Sequence, residues 1–357
     1  MVEAPAHIKS IKPYIPGKPL EELEREFGIV NAIKLASNEN PLGPSLKVLE
    51  AIKGRLEHIH RYPEGSGHSL INALASKHGV RQQQIILGNG SNEVIELLVR
   101  TFLRPGEEVI MATPSFIVYD SITKAAGGKS VEIPLKDWRH DLNAMAHAVT
   151  EKTKLIFIAN PNNPTGTINT SKEMDKLLEV LPKDIIVAVD EAYREYVTDP
   201  SYPDTLDYVK AGHSIVILRT FSKIYGLAGL RIGYGITNAA IIEQMNKIRQ
   251  PFNTNMLAQY AALAALEDTK HVKLAQEFNE AGKEYFYDEL RQIGIDFVPT
   301  EANFVYLPLR NAHVLYEKLL KYGVVVRPVG TEGLRITIGL PEENRRFVES
   351  FKKIIHS

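Results

Sequence analysis

No cysteine occurs in the 357 residues. Disulfides, thiolate nucleophiles, iron–sulfur ligation and cysteine-based zinc sites are therefore excluded together. An excess of either charge is missing too: 42 Lys and Arg stand against 43 Asp and Glu, a formal net charge of -1 at pH 7. With that balance and no Lys/Arg-rich block, a nucleic-acid partner is not expected, although a local basic pocket for a small anion is allowed. No run approaches the roughly 18–20 apolar residues of a membrane span, and M-V-E-A-P-A-H-I-K-S has no apolar stretch of signal-peptide length. No membrane association is expected, and cytoplasm is the expected compartment. Repeats, low-complexity tracts and Ser/Gly linkers are also missing, so any two domains should be joined by helix rather than by tether.

What is present reads as a globular protein. The chain is 44% hydrophobic and 24% charged, enough to bury a sizeable core, and its length suggests about two domains. The first 44 residues, rich in Pro and Gly, read as an irregular arm with one short helix near Leu20 to Phe27. From about residue 69 the texture changes to compact apolar runs and helical spacings. Ile85–Leu87, Val109–Met111, Leu155–Ala159, Ile185–Val189 and Ile215–Leu218 do not alternate between polar and apolar. Both faces of such strands are buried, as in a parallel or mixed sheet covered by helices. After Gly235 helices are expected over 239–250, 255–267 and 270–293, the last with Leu274, Phe278, Ala281 and Tyr285 on its apolar stripe. Strands at Asn303–Leu307, Val324–Val326 and Leu334–Ile338, with a helix near Ala312 to Lys321, suggest a smaller second domain.

Three motifs have ordinary readings to weigh. Gly88-Asn89-Gly90-Ser91-Asn92 lies between a strand and a helix, where orphan N–H groups favour an anion; it reads either as a capped helix start or as a phosphate cradle, and it is not G-x-G-x-x-G. Gly127-Gly128-Lys129-Ser130 lacks the first glycine of a P-loop, which would be Thr123, and runs on into β-like V-E-I-P, so nucleoside triphosphate binding is not expected. His58, His60 and His68 carry neither H-E-x-x-H spacing nor a partnering acid, and no metal site is expected.

The strong signal is an ordered trio at strand ends. Asn163 lies in N-P-N-N-P-T-G, Asp190 opens D-E-A-Y, and Lys223 follows R-T-F-S. Ligands of open α/β sheets gather beyond the carboxyl ends of strands. Taken singly, Asp190 reads as a helix cap or loop acid and Lys223 as a solvated lysine. A carboxylate leaving an apolar strand is costly unless it meets a cation or a donor, and a partly buried lysine becomes a Schiff-base nucleophile. Beside the candidate cradle and Arg231, the set matches what pyridoxal phosphate requires: an amine for the aldehyde, an acid for the ring nitrogen, donors for the phosphate.

From S-N-E-N-P-L-G-P-S to G-L-R-I-T-I-G, and most specifically in T-F-S-K-I-Y-G-L-A-G-L-R-I-G, the sequence resembles the fold-type I aminotransferases that use pyridoxal phosphate. The resemblance implies an aspartate-aminotransferase-like α/β fold. Its large domain would be a three-layer α/β/α unit with a mostly parallel mixed sheet, beside a smaller α/β domain. The implied divisions are 1–44, an arm contributing to the small domain and to dimer contacts; 45–250, the cofactor-binding domain; and 251–357, the small domain. Lys223 would bond the cofactor aldehyde and later shuttle the proton, and Asp190 would pair with the ring nitrogen. Tyr193 and Asn163 would hydrogen-bond the ring oxygen, and Phe116, where many relatives carry Tyr, would stack on the ring. Gly90, Ser91, Asn92, Thr220, Ser222 and Arg231 would hold the phosphate. Tyr62 in R-Y-P-E would reach the partner's phosphate across a homodimer interface. Arg335 would bind the substrate carboxylate, with Arg327 and Tyr14 as distal substrate contacts; for Arg327 an interdomain salt bridge is the alternative. Within the family the resemblance points to the branch that moves the amino group of histidinol phosphate to 2-oxoglutarate in histidine biosynthesis. An aromatic or broad-range aminotransferase, a decarboxylase of phosphorylated amino acids, and a non-catalytic binding module are the other readings.

Overall fold

The computed structural model describes residues 2–15 and 17–356, so Met1, Pro16 and Ser357 of the expected terminal units lie outside the described residues. Apolar runs bounded by turns become strands where branched side chains fill a covered, pleated surface. In chain order these are β1 (Ile33–Lys34), β2 (Ile85–Gly88), β3 (Glu108–Thr113), β4 (Lys129–Pro134), β5 (Thr153–Ala159) and β6 (Ile186–Asp190). They continue with β7 (Ile215–Thr220), β8 (Gly233–Ile236), β9 (Phe304–Pro308), β10 (Val324–Val325), β11 (Arg327–Val329) and β12 (Gly333–Thr337).

The main sheet has the order β2-β8-β7-β6-β5-β3-β4. Every neighbouring pair is parallel except the two made by β8. All residues of β6 and β7 are buried, as their apolar runs predict for all but Asp190, Arg219 and Thr220, and the buried Arg219 pairs with Glu191 at 2.7 Å. On one face, Leu70 and Leu74 of the helix His68–His78 and Ala258 and Ala262 of Met256–Glu267 join Ile156, Val187 and Ile217. On the other, Val94 and Leu98 of the helix Gly90–Phe102 and Ile242 of Ala239–Asn246 meet Phe157, Ala188 and Leu218. The unit is a three-layer α/β/α sandwich around a mostly parallel mixed sheet.

The antiparallel strand β8 has no counterpart in the expected elements. Its sequence, G-Y-G-I, shows no apolar run. Both glycines are there for close approach: a Cβ on Gly233 would lie 2.5 Å from the backbone nitrogen of Ser91, and one on Gly235 would lie 2.8 Å from Val94 Cγ1. The helix Gly90–Phe102 therefore packs directly on strand backbone, which fixes where its N-terminus ends.

A second body holds the antiparallel sheet β11-β12-β9. Val305, Leu307, Leu334 and Ile336 pack with Phe286, Phe347 and Phe351 of its helices, and Leu35 of the arm joins them. The arm is stitched in further by the parallel pairing of β1 with β10. The change of core does not fall at the expected 250/251 junction. Met256–Glu267 belongs by packing to the large sheet, and the handover occurs along the helix Thr269–Gln292, with Ala275 in one core and Phe286 and Leu290 in the other. We propose that this helix is the junction.

The expected stripe on that helix is also off by one residue. Ala275, Asn279, Gly282, Phe286 and Leu290 are buried, whereas Leu274 is 53% exposed and Ala281 faces outward. An apolar count passes over the two positions that settle the rotation. Asn279 Nδ2 donates to the carbonyl of Ala302 at 3.1 Å, and a Cβ on Gly282 would meet Ile338 Cγ2 at 2.3 Å. Among the described residues, no helix is long and apolar enough to cross a membrane.

Candidate active site

Three adjacent parallel strands, β5, β6 and β7, end side by side, and the expected trio lies on or just beyond those ends. They open on a cavity of about 380 Å³. Asn163, Asp190, Tyr193 and Lys223 line it, as do Ser91, Asn92, Phe116, Thr220, Ser222, Arg231, Tyr14 and Arg335. Residues up to 321 positions apart in the chain thus converge on one space (14 to 335).

Asp190 is buried at the end of β6. Its Oδ2 accepts from the hydroxyl of Tyr119 at 2.8 Å and its Oδ1 from the backbone N–H of Ala192 at 3.1 Å. Burial raises its pKa to about 6 against the pull of those two donors. Lys223 shows the opposite response. Burial, with help from the Arg335 guanidinium, lowers its pKa to about 7. Its Nζ donates to the carbonyl of Ser37 at 3.1 Å and lies 5.6 Å from the centre of the Tyr193 ring. An acid raised and an amine lowered in one cleft mark it as a candidate site for proton chemistry.

The candidate cradle faces the same space. Gly90 starts the helix at φ +71°, and a Cβ there would lie 2.5 Å from Arg231 Nη2. Gly90 contributes this close approach rather than a lining atom. The first-turn N–H groups at Ser91 and Asn92 add a partial positive charge. Arg231 Nη1 donates to Ser222 Oγ at 3.3 Å and to the carbonyl of Ala228 at 3.1 Å, so hydroxyl, guanidinium and helix start form one wall whose chemistry suits an anion.

Arg335, on β12, is buried. Its Nη1 donates to Asn163 Oδ1 and its Nη2 to the carbonyl of Ala36, both at 2.5 Å, while its Nε has no partner. A buried guanidinium with a free donor calls for a further acceptor in the cavity. Because Asn163 gives its oxygen to Arg335, its amide NH₂ is left for a ligand.

Arg327 lines an adjoining cavity, also about 380 Å³, which shares Tyr14, Phe116, Asn163 and Arg335 with the first. Its guanidinium is also bound to the arm: Nη1 donates to the carbonyl of Ile15 at 2.7 Å, and the guanidinium sits 4.8 Å from the centre of the Tyr14 ring. Its contacts are with the backbone and ring of the arm rather than with an acid of the other body. Tyr62 lies outside both cavities. It is 82% exposed, with its ring stacked 4.7 Å from that of Phe252.

Two side chains in the cavity wall escaped the sequence reading. Tyr119 bonds Asp190, stacks on Phe157 at 4.4 Å and meets the edge of Phe116 at 5.5 Å, so it braces both an acid and an aromatic wall. The F-x-x-Y spacing at the start of the helix Val118–Ala125 is its one sequence signal. Asn38, in S-N-E-N, donates from Nδ2 to the Tyr193 hydroxyl at 2.8 Å. A polar turn in the sequence, it is 1% exposed in the fold.

The donor set fits pyridoxal phosphate. A lowered amine, a buried acid, an aromatic face, a polar edge and an anion wall are distinct chemical demands, and all are met around one space. Comparison with known proteins agrees. The family model for aminotransferase class I and II matches residues 30–351. Histidinol-phosphate aminotransferase of Moorella thermoacetica is 46% identical over 98% of this chain and 92% of its own length. That of Caldicellulosiruptor saccharolyticus is 44% identical over 98% and 99%. The crystal structure of histidinol-phosphate aminotransferase from Sinorhizobium meliloti in complex with pyridoxal-5'-phosphate superposes with a TM-score of 0.91, at 25% identity, over 100% of this chain and 98% of that one.

Proposed function

Because the chain belongs to the class I and II aminotransferases, we propose that it moves the amino group of L-histidinol phosphate to 2-oxoglutarate, giving imidazole-acetol phosphate and L-glutamate in histidine biosynthesis. The observation that carries the substrate reading is the pair of joined cavities, with Arg335 and Tyr14 in both and Arg327 in the second alone. Histidinol phosphate brings a phosphate beside the reacting carbon and an imidazole on the other side, and glutamate brings one carboxylate there and a second farther out. Two guanidinium groups in one continuous space suit that pattern, since each can bind an oxyanion through parallel N–H···O bonds.

When bound, pyridoxal phosphate supplies an aldehyde to take the amino group and a ring that stabilises negative charge at the substrate α-carbon. Ser91, Asn92, Thr220, Ser222 and Arg231 would hold its phosphate, Phe116 its face, and Asn163 and Tyr193 its ring oxygen. Asp190 would keep a proton on the ring nitrogen. That cationic neighbour favours the carboxylate and offsets the burial that holds Asp190 near 6. Lys223, lowered to about 7, is partly neutral at neutral pH, so its Nζ could bond the cofactor's aldehyde carbon, with the oxygen leaving as water, and when not so bonded could take a proton from the substrate α-carbon. Arg335 orients the substrate so that this proton faces Nζ.

The distal contact is testable. Loss of one charged hydrogen bond costs about 1.5–3 kcal/mol, or roughly 10- to 150-fold. Arg327→Ala is expected to lower kcat/KM for histidinol phosphate and for glutamate by that range and to leave phenylalanine nearly unchanged. Equal losses for all three donors would make Arg327 structural. A parent enzyme that prefers phenylalanine to histidinol phosphate would favour the aromatic aminotransferase reading.

The same reading makes the enzyme a cytoplasmic homodimer in which Tyr62 of the partner subunit completes each phosphate site. Tyr62 is exposed with Phe252 (45%) stacked on its ring, and Ile59 (66%) and Leu56 (48%) are exposed in the same segment as Tyr62. Mixing Lys223→Ala with Tyr62→Ala subunits should give activity above the mean of the two parents, since half-and-half dimers regain one intact site. An active monomer in sedimentation would end the idea.

A further inference from the structure

The Tyr193 phenol has one hydrogen to donate, and the bonds around it decide its direction. The backbone N–H of Asn38 can only donate, and it does so to Thr337 Oγ1 at 2.9 Å. The threonine hydroxyl must then direct its own hydrogen elsewhere, and it meets Asn38 Oδ1 at 3.0 Å. With its oxygen committed, the Asn38 amide turns its NH₂ towards Tyr193, donating at 2.8 Å. The phenol oxygen is therefore the acceptor in that bond, and its own hydrogen points away from Asn38.

The relay is rigidly mounted. Asn38 is 1% and Thr337 4% exposed, and the Asn38 carbonyl accepts from Asn303 Nδ2 at 3.0 Å. Asn38 sits at φ +54°, a conformation its short polar side chain tolerates. Its neighbours Ala36 and Ser37 accept from Arg335 and Lys223. Thr337 lies two residues beyond Arg335 on the same side of β12. The charged and titratable groups that face Tyr193 are Arg335, Asp190, Tyr14, Lys223, Tyr119 and Tyr196.

We propose that Thr337 and Asn38 are positioning residues that fix the direction of the Tyr193 phenol hydrogen, so that Tyr193 meets the cofactor's ring oxygen only as a donor. The inference rests on the reading of Tyr193 as a cofactor contact. A donor at that oxygen favours its ionised form, and so lowers the pH at which the bound cofactor loses its proton.

The test is a pH titration of the visible absorption of pyridoxal phosphate in the holoenzyme. Thr337→Val removes the hydroxyl at nearly constant volume, and Asn38→Gly removes the amide without straining a positive φ. Each is expected to raise the apparent pKa by about one unit, tenfold in proton affinity, while Thr337→Ser keeps the parent value. Both shifts should vanish in a Tyr193→Phe background, which has no phenol hydrogen to direct. A general disturbance of the cavity would persist there. If Tyr193→Phe alone leaves the titration unmoved, the reading of Tyr193 as a cofactor contact falls and the relay with it. If Tyr193→Phe moves it but Thr337→Val does not, or if the Thr337→Val shift survives in Tyr193→Phe, the relay alone is overturned. Should Asn38→Gly fail to fold, Thr337→Val, which exchanges one hydroxyl for a methyl, still decides.

Discussion

Replacing Lys223 by alanine is expected to lower transamination by about 10⁴-fold or more, measured as kcat with histidinol phosphate at saturating cofactor. The size follows from the two tasks that one side chain performs. In the proposed mechanism its amine would bond the cofactor aldehyde, and its Nζ would then be the base beside the α-carbon. Among the described residues, no second lysine lines either cavity to substitute for it. Cofactor phosphate contacts are untouched, so the variant should still bind pyridoxal phosphate, though without a covalent bond. Residual activity within tenfold of the parent would show that another group does the proton transfer.

The same residue carries a stability cost that can be read from pH. In the cofactor-free protein the folded-state pKa of Lys223 is lowered to about 7 from 10.5. A group depressed in this way penalises the folded state fully below about pH 7, and the penalty fades as pH rises towards the unfolded value. Lys223→Met should therefore raise the melting temperature of the cofactor-free protein at pH 6 and have progressively less effect between pH 7 and 10. A gain that grows with pH would contradict the sign.

Asp190→Asn is expected to lower kcat by about 10³-fold, the scale of losing one preorganised electrostatic partner in a dry site. The carboxylate is held by Tyr119 and by the N–H of Ala192, and both donors favour its charged form. Asparagine keeps the shape and loses the charge, so nothing holds the proton on the ring nitrogen and negative charge at the α-carbon is less well spread. Lys223 remains, and covalent attachment of the cofactor should persist. Turnover within threefold of the parent would give Asp190 another role.

The layering of the fold was legible because it depends on local patterns. Leu155–Ala159, Ile185–Val189 and Ile215–Leu218 are apolar throughout, and strands of that kind are covered on both sides. Asn163, Asp190 and Lys223 stood out because polar residues follow those runs directly. What stayed hidden depends on contacts distant in sequence. The strand β8 is two glycines and two other residues whose role appears only when the helix Gly90–Phe102 lies on them. The rotation of Thr269–Gln292 is set by Asn279 and Gly282, which an apolar pattern ignores. Asn38 is a turn residue until Thr337, 299 positions away, orients its amide. Arg327 could be placed beside the cleft, yet the arm that binds its guanidinium through Ile15 and Tyr14 has no periodicity to announce it.

The most direct measurement is borohydride reduction of the holoenzyme followed by digestion and peptide mapping. Among the described residues, Lys223 is the only lysine lining the main cavity, which Asp190 and the helix-start residues Ser91 and Asn92 also line. Reduction should trap one cofactor per chain on the peptide T-F-S-K-I-Y-G, with the adduct on Lys223 and none in Lys223→Ala. An adduct on any other lysine, or a holoenzyme that releases all its cofactor after reduction, would contradict the account.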